Sequence, residues 1–425
     1  MFPLGSRLNE RGALEIGGCD ALDLAREFGT PCYVVAEDDL TARARAFTGA
    51  ARRLHPDLQV VFASKAFPCT AVLSLFAREG LWCDAASGGE LHLALAAGFA
   101  PERIVLHGNA KSEAELAMAL RRRVGLIVID NFGEIERLAT LIADGEGPDS
   151  GAGGQAVLIR VNPDVRGETH EKISTGQADS KFGFAMSEAG EAIARVQAVA
   201  GLDLRGLHAH IGSQLLDVEP FRRACSQLAE LADGAGGFPV IDVGGGLGVP
   251  YLEGQAAPDA DEYLGALVES FPGRVERLLV EPGRSLSANA GVTLYTVESV
   301  KQNVSRWVAV DGGMSDNLRP MLYGAVYEAH VADRFGGATE CVLAGKHCES
   351  GDVIVRHALL DDPRPGDVIV TPATGAYGYA MANNYNGVPR PPVVFCAGGQ
   401  AREVVRRETF EDLTARDRPG AGETS

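Results

Sequence analysis

The chain has 425 residues, of which 46% are hydrophobic, and a formal net charge of −18 at pH 7. This length and apolar content can fill a large core and suggest two domains. The negative charge argues against nucleic acid or an anionic membrane surface as the main partner, because both would repel the protein.

Cysteine usage and the N-terminus indicate the compartment. The eight cysteines are scattered without a Cys-x-x-Cys pair, which disfavours a zinc site or a disulfide framework and favours reduced thiols. The N-terminus lacks a basic region followed by a long apolar one, and no run of eighteen apolar residues occurs. We therefore expect a cytoplasmic protein with no metal centre and no membrane segment.

The N-terminal region contains two short strand-like runs, at residues 13–16 and 32–36, with a small helical pattern between them. Acidic residues at 37–39 then open a helix that we expect to end near Leu54. Carboxylates at a helix N-terminus are favourable because they face the positive end of the helix dipole. A regular alternation of strand-like and helical patterns begins after this helix.

Short apolar runs recur with helical patterns between most of them, near Val60, Leu81, Ile104, Leu126, Val157, Gly206, Val240 and Leu278. Eight strands that alternate with helices predict an α/β fold, a (β/α)8 barrel of the TIM type, whose active site lies at the carboxyl ends of the strands. We assign residues 37–290 to this barrel. Residues 145–155, rich in Gly, Pro and Ser, are predicted to be a surface loop.

The pattern changes after about residue 290. Short β-type runs separated by Gly and Pro turns follow, at 293–310, 339–355, 367–374 and 393–397. They predict a C-terminal β-sandwich or small β-barrel that also takes up the N-terminal strands, so that residues 1–36 and 291–417 form one domain. Residues 402–416 indicate a charged helix, and residues 418–425 a disordered tail.

Polar residues follow all eight apolar runs, in the order Lys65, Asp84, His107 with Asn109, Asp130, Asn162, His208 with His210, glycines 244–246, and Glu281. Random loops would as readily supply Ser, Thr or Pro. Lys65 leaves a buried strand, where poor solvation would make its amine a nucleophile toward an aldehyde. Taken alone, the segment favours a lysine that snorkels at a strand end.

Two further segments are candidates for binding a phosphate and for supplying a carboxylate. The glycines 244–246 follow the seventh run, and their exposed amides can cradle a phosphate. A tight turn is the second interpretation. Glu281 ends the eighth run and can hold a protonated pyridine nitrogen through a charge-assisted hydrogen bond. An ion pair between Glu281 and Arg284 is the alternative.

The segment from His208 to Gln214 places His208 and His210 on the same face of a strand end. One of them can stack on an aromatic ring, while Ser213 can donate to a phosphate. A zinc pair is disfavoured because no third ligand follows at a suitable spacing. Lysine, glutamate, histidine and a glycine loop around one barrel mouth are the groups that a pyridoxal phosphate site requires.

With these residues in view, the sequence resembles the fold-type III pyridoxal-phosphate decarboxylases, which share an alanine racemase-like barrel. Within that family it is similar to the diaminopimelate decarboxylases. The resemblance covers nearly the whole chain, from Pro31 to Val393. Its motifs are Ala63-Ser64-Lys65-Ala66, His208-Ala209-His210-Ile211-Gly212-Ser213-Gln214, Gly244-Gly245-Gly246, Glu281-Pro282-Gly283-Arg284, Cys348-Glu349-Ser350-Gly351-Asp352 and Gly375-Ala376-Tyr377.

The resemblance implies a role for each matching residue. Lys65 would bond to the aldehyde of pyridoxal 5'-phosphate, His210 would stack on its ring, and Glu281 would pair with its pyridine nitrogen. The remaining cofactor contacts would be Asp84, Ser213, Gly245, Gly246, Gly283, Arg284 and Tyr377. Substrate would be bound by Arg284, Arg319, Tyr323, Glu349 and Tyr377. Cys348 would be the acid that returns a proton after carbon dioxide leaves.

The resemblance also implies a homodimer in which Cys348 and Glu349 reach the partner's active site. Residues 173–176 and 180–183 look more like enzymes of diaminopimelate than those of ornithine or arginine. Two arginines and a tyrosine suit a substrate with a carboxylate at each end, because Arg binds carboxylates bidentately. A relative acting on another amino acid is the nearest alternative. A non-catalytic dimer that only binds the cofactor would not need Lys65, Cys348 and Glu349 together.

Overall fold

The computed structural model describes residues 1–147, 153–163, 165, 180–271 and 275–418. The chain divides into two compact units. One contains Thr41–Val249 and Ala256–Leu286, and the other contains Met1–Leu40, Pro250–Gln255 and Ser287–Ser425. The predicted substrate segment at 173–176, part of the predicted loop at 148–152 and the predicted tail from residue 419 lie outside the described residues.

The first unit contains a closed barrel of eight parallel strands. The strands are Leu58–Ala63, Trp82–Ala85, Ile104–Leu106, Leu126–Ile129, Gln155–Asn162, Leu202–His208, Val240–Asp242 and Arg277–Val280. Each strand pairs with the next, and the last pairs with the first through Leu278 and Leu58. A two-residue strand, Phe184–Ala185, adds to the end of the fifth. Every predicted apolar run is a barrel strand, and the (β/α)8 prediction is confirmed.

Helices connect these strands as the rhythm of the sequence predicts. Among the described residues, seven α-helices lie between consecutive strands, namely Thr70–Arg78, Gly88–Ala96, Glu113–Arg122, Phe132–Ala143, Ala189–Gln197, Glu219–Gly234 and Ala260–Val268; Glu37–Leu54 precedes the first strand, and Arg284–Ser287 follows the eighth. Ser87, Ser112 and Asn131 each begin a helix by accepting a hydrogen bond from its third backbone amide. Within the described part of the chain, no helix combines the length and apolar character needed to span a bilayer.

The barrel interior is filled by apolar side chains. One buried cluster joins Val61, Trp82, Val105, Leu126, Val128, Leu158, Val240 and Leu279, which come from seven strands. Side chains from so many strands meet only inside a closed barrel. Gly206 permits the close approach of two strands, because a Cβ at this position would lie 1.7 Å from the carbonyl oxygen of Val240.

The second unit is built on antiparallel and mixed sheet. Its longer strands are Cys32–Ala36, Gly291–Gln302, Arg306–Val310, Thr339–Ala344, Val353–Leu360, Val368–Pro372, Val393–Ala397 and Gln400–Val405. The N-terminal strand Cys32–Ala36 lies between Gly291–Gln302 and Val393–Ala397. Buried Val34, Val292, Val370 and Val394 share one core cluster. The prediction that the N-terminal strands join the C-terminal sheet is confirmed for Cys32–Ala36. It is wrong for Leu14–Ile16, which pairs with Arg7–Leu8 and Cys19–Asp20 in a separate three-stranded sheet of the same unit.

Shorter elements complete this unit. They are the strands Arg7–Leu8, Leu14–Ile16, Cys19–Asp20 and His330–Val331, and the helices Ala21–Phe28, Arg319–Tyr323 and Phe410–Thr414. The charged helix predicted for 402–416 is wrong over its first part, because Gln400–Val405 is a strand paired antiparallel with Val393–Ala397. Gly398 and Gly399 both have positive φ, as a two-residue hairpin turn requires. The glycine turn therefore favours a hairpin, although the charged composition of the segment suggested a helix.

Candidate active site

Lys65 follows the first barrel strand, within the single helical turn Ser64–Ala66. Its side chain is 43% exposed, and its Nζ lies 3.7 Å from Oδ2 of buried Asp84, at the end of the second strand. Burial raises the pKa of the Asp84 carboxyl, and the neighbouring His107 and Lys65 oppose that rise. The structure thus places an accessible amine beside a buried carboxyl group.

Glu281 follows the eighth strand and is 4% exposed. Its Oε1 lies 2.6 Å from Nε2 of His107, and its Oε2 lies 3.4 Å from Nε2 of His208. Burial alone would raise the pKa of Glu281, but contact with the two histidines lowers it well below the ordinary value. Burial lowers the pKa of His208 to about 3. At neutral pH, Glu281 is therefore an anion that accepts a hydrogen bond from a neutral His208.

Asp242 ends the seventh strand and lies beside this group. Burial, and then the charge of Glu281, raise the pKa of Asp242 well above its ordinary value. Its Oδ1 accepts a hydrogen bond from the amide of Gly244 at 2.9 Å. Potential ligand atoms of His107, His208, Asp242 and Glu281 all lie within 4.8 Å of one another. We interpret the cluster as a support for one negative charge on Glu281, and the absence of a metal stays a prediction.

The glycine loop, residues 244–248, follows Asp242. Gly244 and Gly246 have positive φ, and a Cβ on Gly245 would lie 2.1 Å from the carbonyl oxygen of Glu281. The amide of Gly245 donates to Nδ1 of His210 at 3.2 Å. Burial and the nearby Lys65 lower the pKa of His210 well below its ordinary value. His210 is therefore neutral, and because its Nδ1 accepts, its proton is on Nε2.

A guanidinium and a hydroxyl from distant parts of the sequence, Arg284 and Ser213, meet at the strand ends. Arg284, 6% exposed, donates from Nη2 to Oγ of Ser213 at 2.8 Å. Gly283 leaves room for the turn beside Lys65, because a Cβ there would lie 3.0 Å from Cβ of Ala63 and 3.1 Å from Cβ of Ala66. The contacts of Glu281 with histidines and of Arg284 with Ser213 weaken the alternative of a simple Glu281–Arg284 pair.

The other predicted residues belong to the second unit. Arg319 is buried at the start of the helix Arg319–Tyr323, and its Nη1 donates to the hydroxyls of Tyr251, at 3.0 Å, and of Tyr327. Tyr323 ends that helix. Tyr377 has a left-handed backbone, with a φ of 62°. Cys348 and Glu349 are exposed, and Cys348 is the only exposed one of the eight cysteines, all of which are unpaired and described.

The structure thus brings one group of predicted residues together at the carboxyl ends of the barrel strands, namely Lys65, Asp84, His210, Ser213, Gly245, Gly246, Glu281, Gly283 and Arg284. His107, Asp242 and Arg160 have no role in the site predicted from the sequence. Arg160 lies within a barrel strand, 4.0 Å from Asp130, with its guanidinium 4.3 Å from the ring centroid of Phe182. The sequence signal that could have identified Arg160 is its charge inside the apolar run 157–161, because buried charges need partners.

Residues 38–288 match the family model described as the pyridoxal binding domain of the pyridoxal-dependent decarboxylases. The chain belongs to this decarboxylase family. The diaminopimelate decarboxylase of Actinosynnema pretiosum subsp. auranticum is 46% identical over 98% of this chain and 95% of its own length. That of Bacillus subtilis (strain 168) is 45% identical and is covered over 97% of each chain.

Solved structures of this decarboxylase family have the same fold. The diaminopimelate decarboxylase of M. jannaschii in co-complex with L-lysine has a TM-score of 0.91 and 32% identity, over 99% of each chain. The Helicobacter pylori enzyme complexed with L-lysine has a TM-score of 0.86 and 32% identity, over 92% of this chain and 98% of that one. A lysine/ornithine decarboxylase from Vibrio vulnificus is only 22% identical, with a TM-score of 0.74, and shows the fold alone.

The barrel residues fit the pyridoxal cofactor of this decarboxylase family. An aldehyde needs an accessible amine, and Lys65 is 43% exposed. A protonated pyridine nitrogen needs a buried anion, and Glu281 is one. A phosphate needs positive charge and hydrogen-bond donors, and Arg284 with Ser213 provides them beside glycines that pack closely against the backbone of Gly212 and Glu281.

Proposed function

We propose that the protein is a cytoplasmic, pyridoxal-phosphate-dependent decarboxylase that converts meso-2,6-diaminopimelate to L-lysine and carbon dioxide, the last step of lysine biosynthesis. The observation that carries this proposal is the pairing of accessible Lys65 with the buried anion Glu281 at one barrel mouth. Relatives at 45–46% identity, with nearly full coverage, are diaminopimelate decarboxylases. Two similar structures contain L-lysine, which is the product of the proposed reaction.

Different barrel residues would hold different parts of the cofactor. Lys65 would bond to its aldehyde, the neutral ring of His210 would face it, and Glu281 would hold the pyridine nitrogen. Ser213, Arg284 and the glycine loop would hold the phosphate, with Asp84 and Gly283 close to Lys65. When bound, pyridoxal phosphate supplies an electron sink for the pair left by departing carbon dioxide.

Residues of the chain itself would orient the substrate and move its protons. Arg319 is held by the hydroxyls of Tyr251 and Tyr327, so its planar group is pre-oriented for a substrate carboxylate. Arg284, Tyr323 and Tyr377 would complete the substrate contacts. The exposed carboxylate of Glu349 would bind the distal amine, and the exposed thiol of Cys348 would return a proton to Cα after carbon dioxide has left.

The substrate can be tested directly. We expect the purified protein to release carbon dioxide from meso-diaminopimelate and at most traces from L-lysine, L-ornithine and L-arginine, because two arginines match a substrate with two carboxylates. Carbon dioxide release from each amino acid should be measured at equal concentration with added cofactor. Strong release from ornithine or arginine, with none from diaminopimelate, would replace the proposed substrate.

We also propose a homodimer in which each active site combines Lys65 of one chain with Glu349 and Cys348 of the other. A two-fold dimer made from one Lys65→Ala chain and one Glu349→Ala chain would carry both lesions in one site and leave the other site intact. An equimolar mixture, in which half of the dimers are mixed, should therefore recover about a quarter of wild-type activity by this symmetry argument.

The mixture should be co-expressed with two different affinity tags, so that mixed dimers are purified and counted. Each single variant alone is the control and should be nearly inactive. Mixed dimers that show no more activity than the single variants would place Lys65 and Glu349 in the same chain's site and overturn the shared-site proposal.

A further inference from the structure

Asp352 is a buried carboxylate that the proposed reaction does not use. It is 3% exposed and accepts hydrogen bonds from three donors. Oδ1 accepts from the amide of Met314 at 2.8 Å, and Oδ2 accepts from the amide of His347 at 2.9 Å. The Nδ1 of His347 lies 2.7 Å from the same Oδ2. One side chain therefore ties two separate stretches of the chain together.

The space around this carboxylate is closed by two glycines. A Cβ on Gly313 would lie 2.5 Å from Oδ2 of Asp352, and a Cβ on Gly345 would lie 2.1 Å from the same atom. Side chains at these positions would displace the carboxylate from its three donors. Asp352 is therefore closely packed and is not a surface carboxylate with incidental contacts. We call Asp352, Gly313 and Gly345 together the anchor.

The anchor holds the Cys348 loop, which we define as residues 345–352. This loop carries the exposed Cys348 and Glu349. The amide of Cys348 also donates to Oδ1 of Asn386 at 2.9 Å. The buried ring of His347 stacks on Tyr385, with centroids 5.9 Å apart and planes at 18°. The loop is thus fixed at both sides of Cys348.

The stretch that Asp352 joins to this loop is residues 312–317, which lead directly into the helix of Arg319. Asn383 strengthens the same stretch, since its amide donates to the carbonyl of Ser315 at 2.8 Å and its Nδ2 to the carbonyl of Met314 at 3.3 Å. Three segments of the second unit are therefore connected: residues 312–317, the Cys348 loop and residues 383–387.

We propose that Asp352 is a positioning residue that fixes the Cys348 loop relative to the Arg319 helix of the same chain, so that Cys348 and Glu349 are held in a constant position for the active site that they complete. This inference rests on the proposed function for the roles of Cys348 and Arg319. Asp352 touches neither substrate nor cofactor. Its effect passes through the amides of Met314 and His347 and the ring of His347.

The test compares three variants of the full chain. Asp352→Asn places an NH2 group among three donors, because an amide has only one acceptor oxygen. Gly345→Ala displaces the carboxylate without removing it. Gly351→Ala is the matched control, since its Cβ would meet only Oε1 of Glu349, at 4.0 Å, and its φ is not positive. Cofactor binding, which is measured by visible absorbance, reports whether the barrel is intact.

We expect the amides of Met314 and His347 to exchange hydrogen at least about tenfold faster in Asp352→Asn and Gly345→Ala, with cofactor binding unchanged. The rate at which iodoacetamide alkylates Cys348 should also change. The signal can be assigned to Cys348 because the other seven cysteines are buried. The value of kcat should fall at least about tenfold, more than KM rises. Gly351→Ala should match the wild type in all three measurements.

Amides that exchange at the wild-type rate in Asp352→Asn would overturn the anchor. Faster exchange with an unchanged kcat would reduce Asp352 to a structural residue and overturn its positioning role. A wild-type protein that releases no carbon dioxide from any amino acid would overturn the proposed function. In that case exchange and alkylation, which need no substrate, still decide whether Asp352 holds the Cys348 loop.

Discussion

Lys65→Ala is expected to abolish the visible absorbance of bound cofactor and to lower decarboxylation at least about 1,000-fold, as loss of a covalent catalytic group does. The reason is that Lys111, a buried lysine at the ends of the barrel strands, cannot replace it. Lys111 is buried there, and its Nζ donates to the carbonyls of Gly108 and Val128 and to Glu134, at 2.6–2.7 Å. An amine held in this way cannot turn toward an aldehyde.

The measurement is the absorbance spectrum after dialysis, together with carbon dioxide release from meso-diaminopimelate. Borohydride reduction of the wild type, followed by peptide mapping, should place the cofactor label on Lys65. Lys301→Ala, at an exposed lysine of the second unit, is the control and should keep both colour and activity. Colour that survives dialysis in Lys65→Ala, with the label on another residue, would remove Lys65 from its proposed role.

Glu281→Gln is expected to retain cofactor and to slow decarboxylation about 100-fold or more, the size of effect seen when a preorganised electrostatic contact is removed. Glutamine has nearly the same shape, but its single acceptor oxygen can accept from only one of His107 and His208. It cannot supply the negative charge that stabilises a protonated pyridine nitrogen. Because contact with the histidines holds the pKa of Glu281 well below its ordinary value, the wild type should keep this charge at all pH values near neutrality.

Glu276→Gln provides a matched control for this change. Glu276 is exposed and precedes the opposite end of the same strand, Arg277–Val280, so its charge lies away from the barrel mouth. Turnover and cofactor affinity should be measured separately for both variants. Wild-type turnover in Glu281→Gln would mean that Glu281 only orders the two histidines.

Much of the fold follows from local sequence patterns. Each of the eight barrel strands coincides with a short apolar run, and the helix predicted to open at Glu37 and to end near Leu54 is Glu37–Leu54. Such patterns are readable because burial of a strand or of a helix face depends on residues that are neighbours in sequence. The strand Gln400–Val405 was missed because its charged side chains concealed a hairpin set by two glycines.

The sequence by itself determined the barrel and the residues at its strand ends, including Lys65, Asp84, His210 and Glu281, because a parallel barrel brings all carboxyl ends of its strands to one face. Only the tertiary structure decided their charges. Glu281 is an anion because the two histidines contact it, and His208 is neutral because it is buried; Glu281 and His208 are 73 positions apart. The anchoring of Cys348 by Asp352 and Asn386 likewise depends on contacts that form only when distant segments pack together.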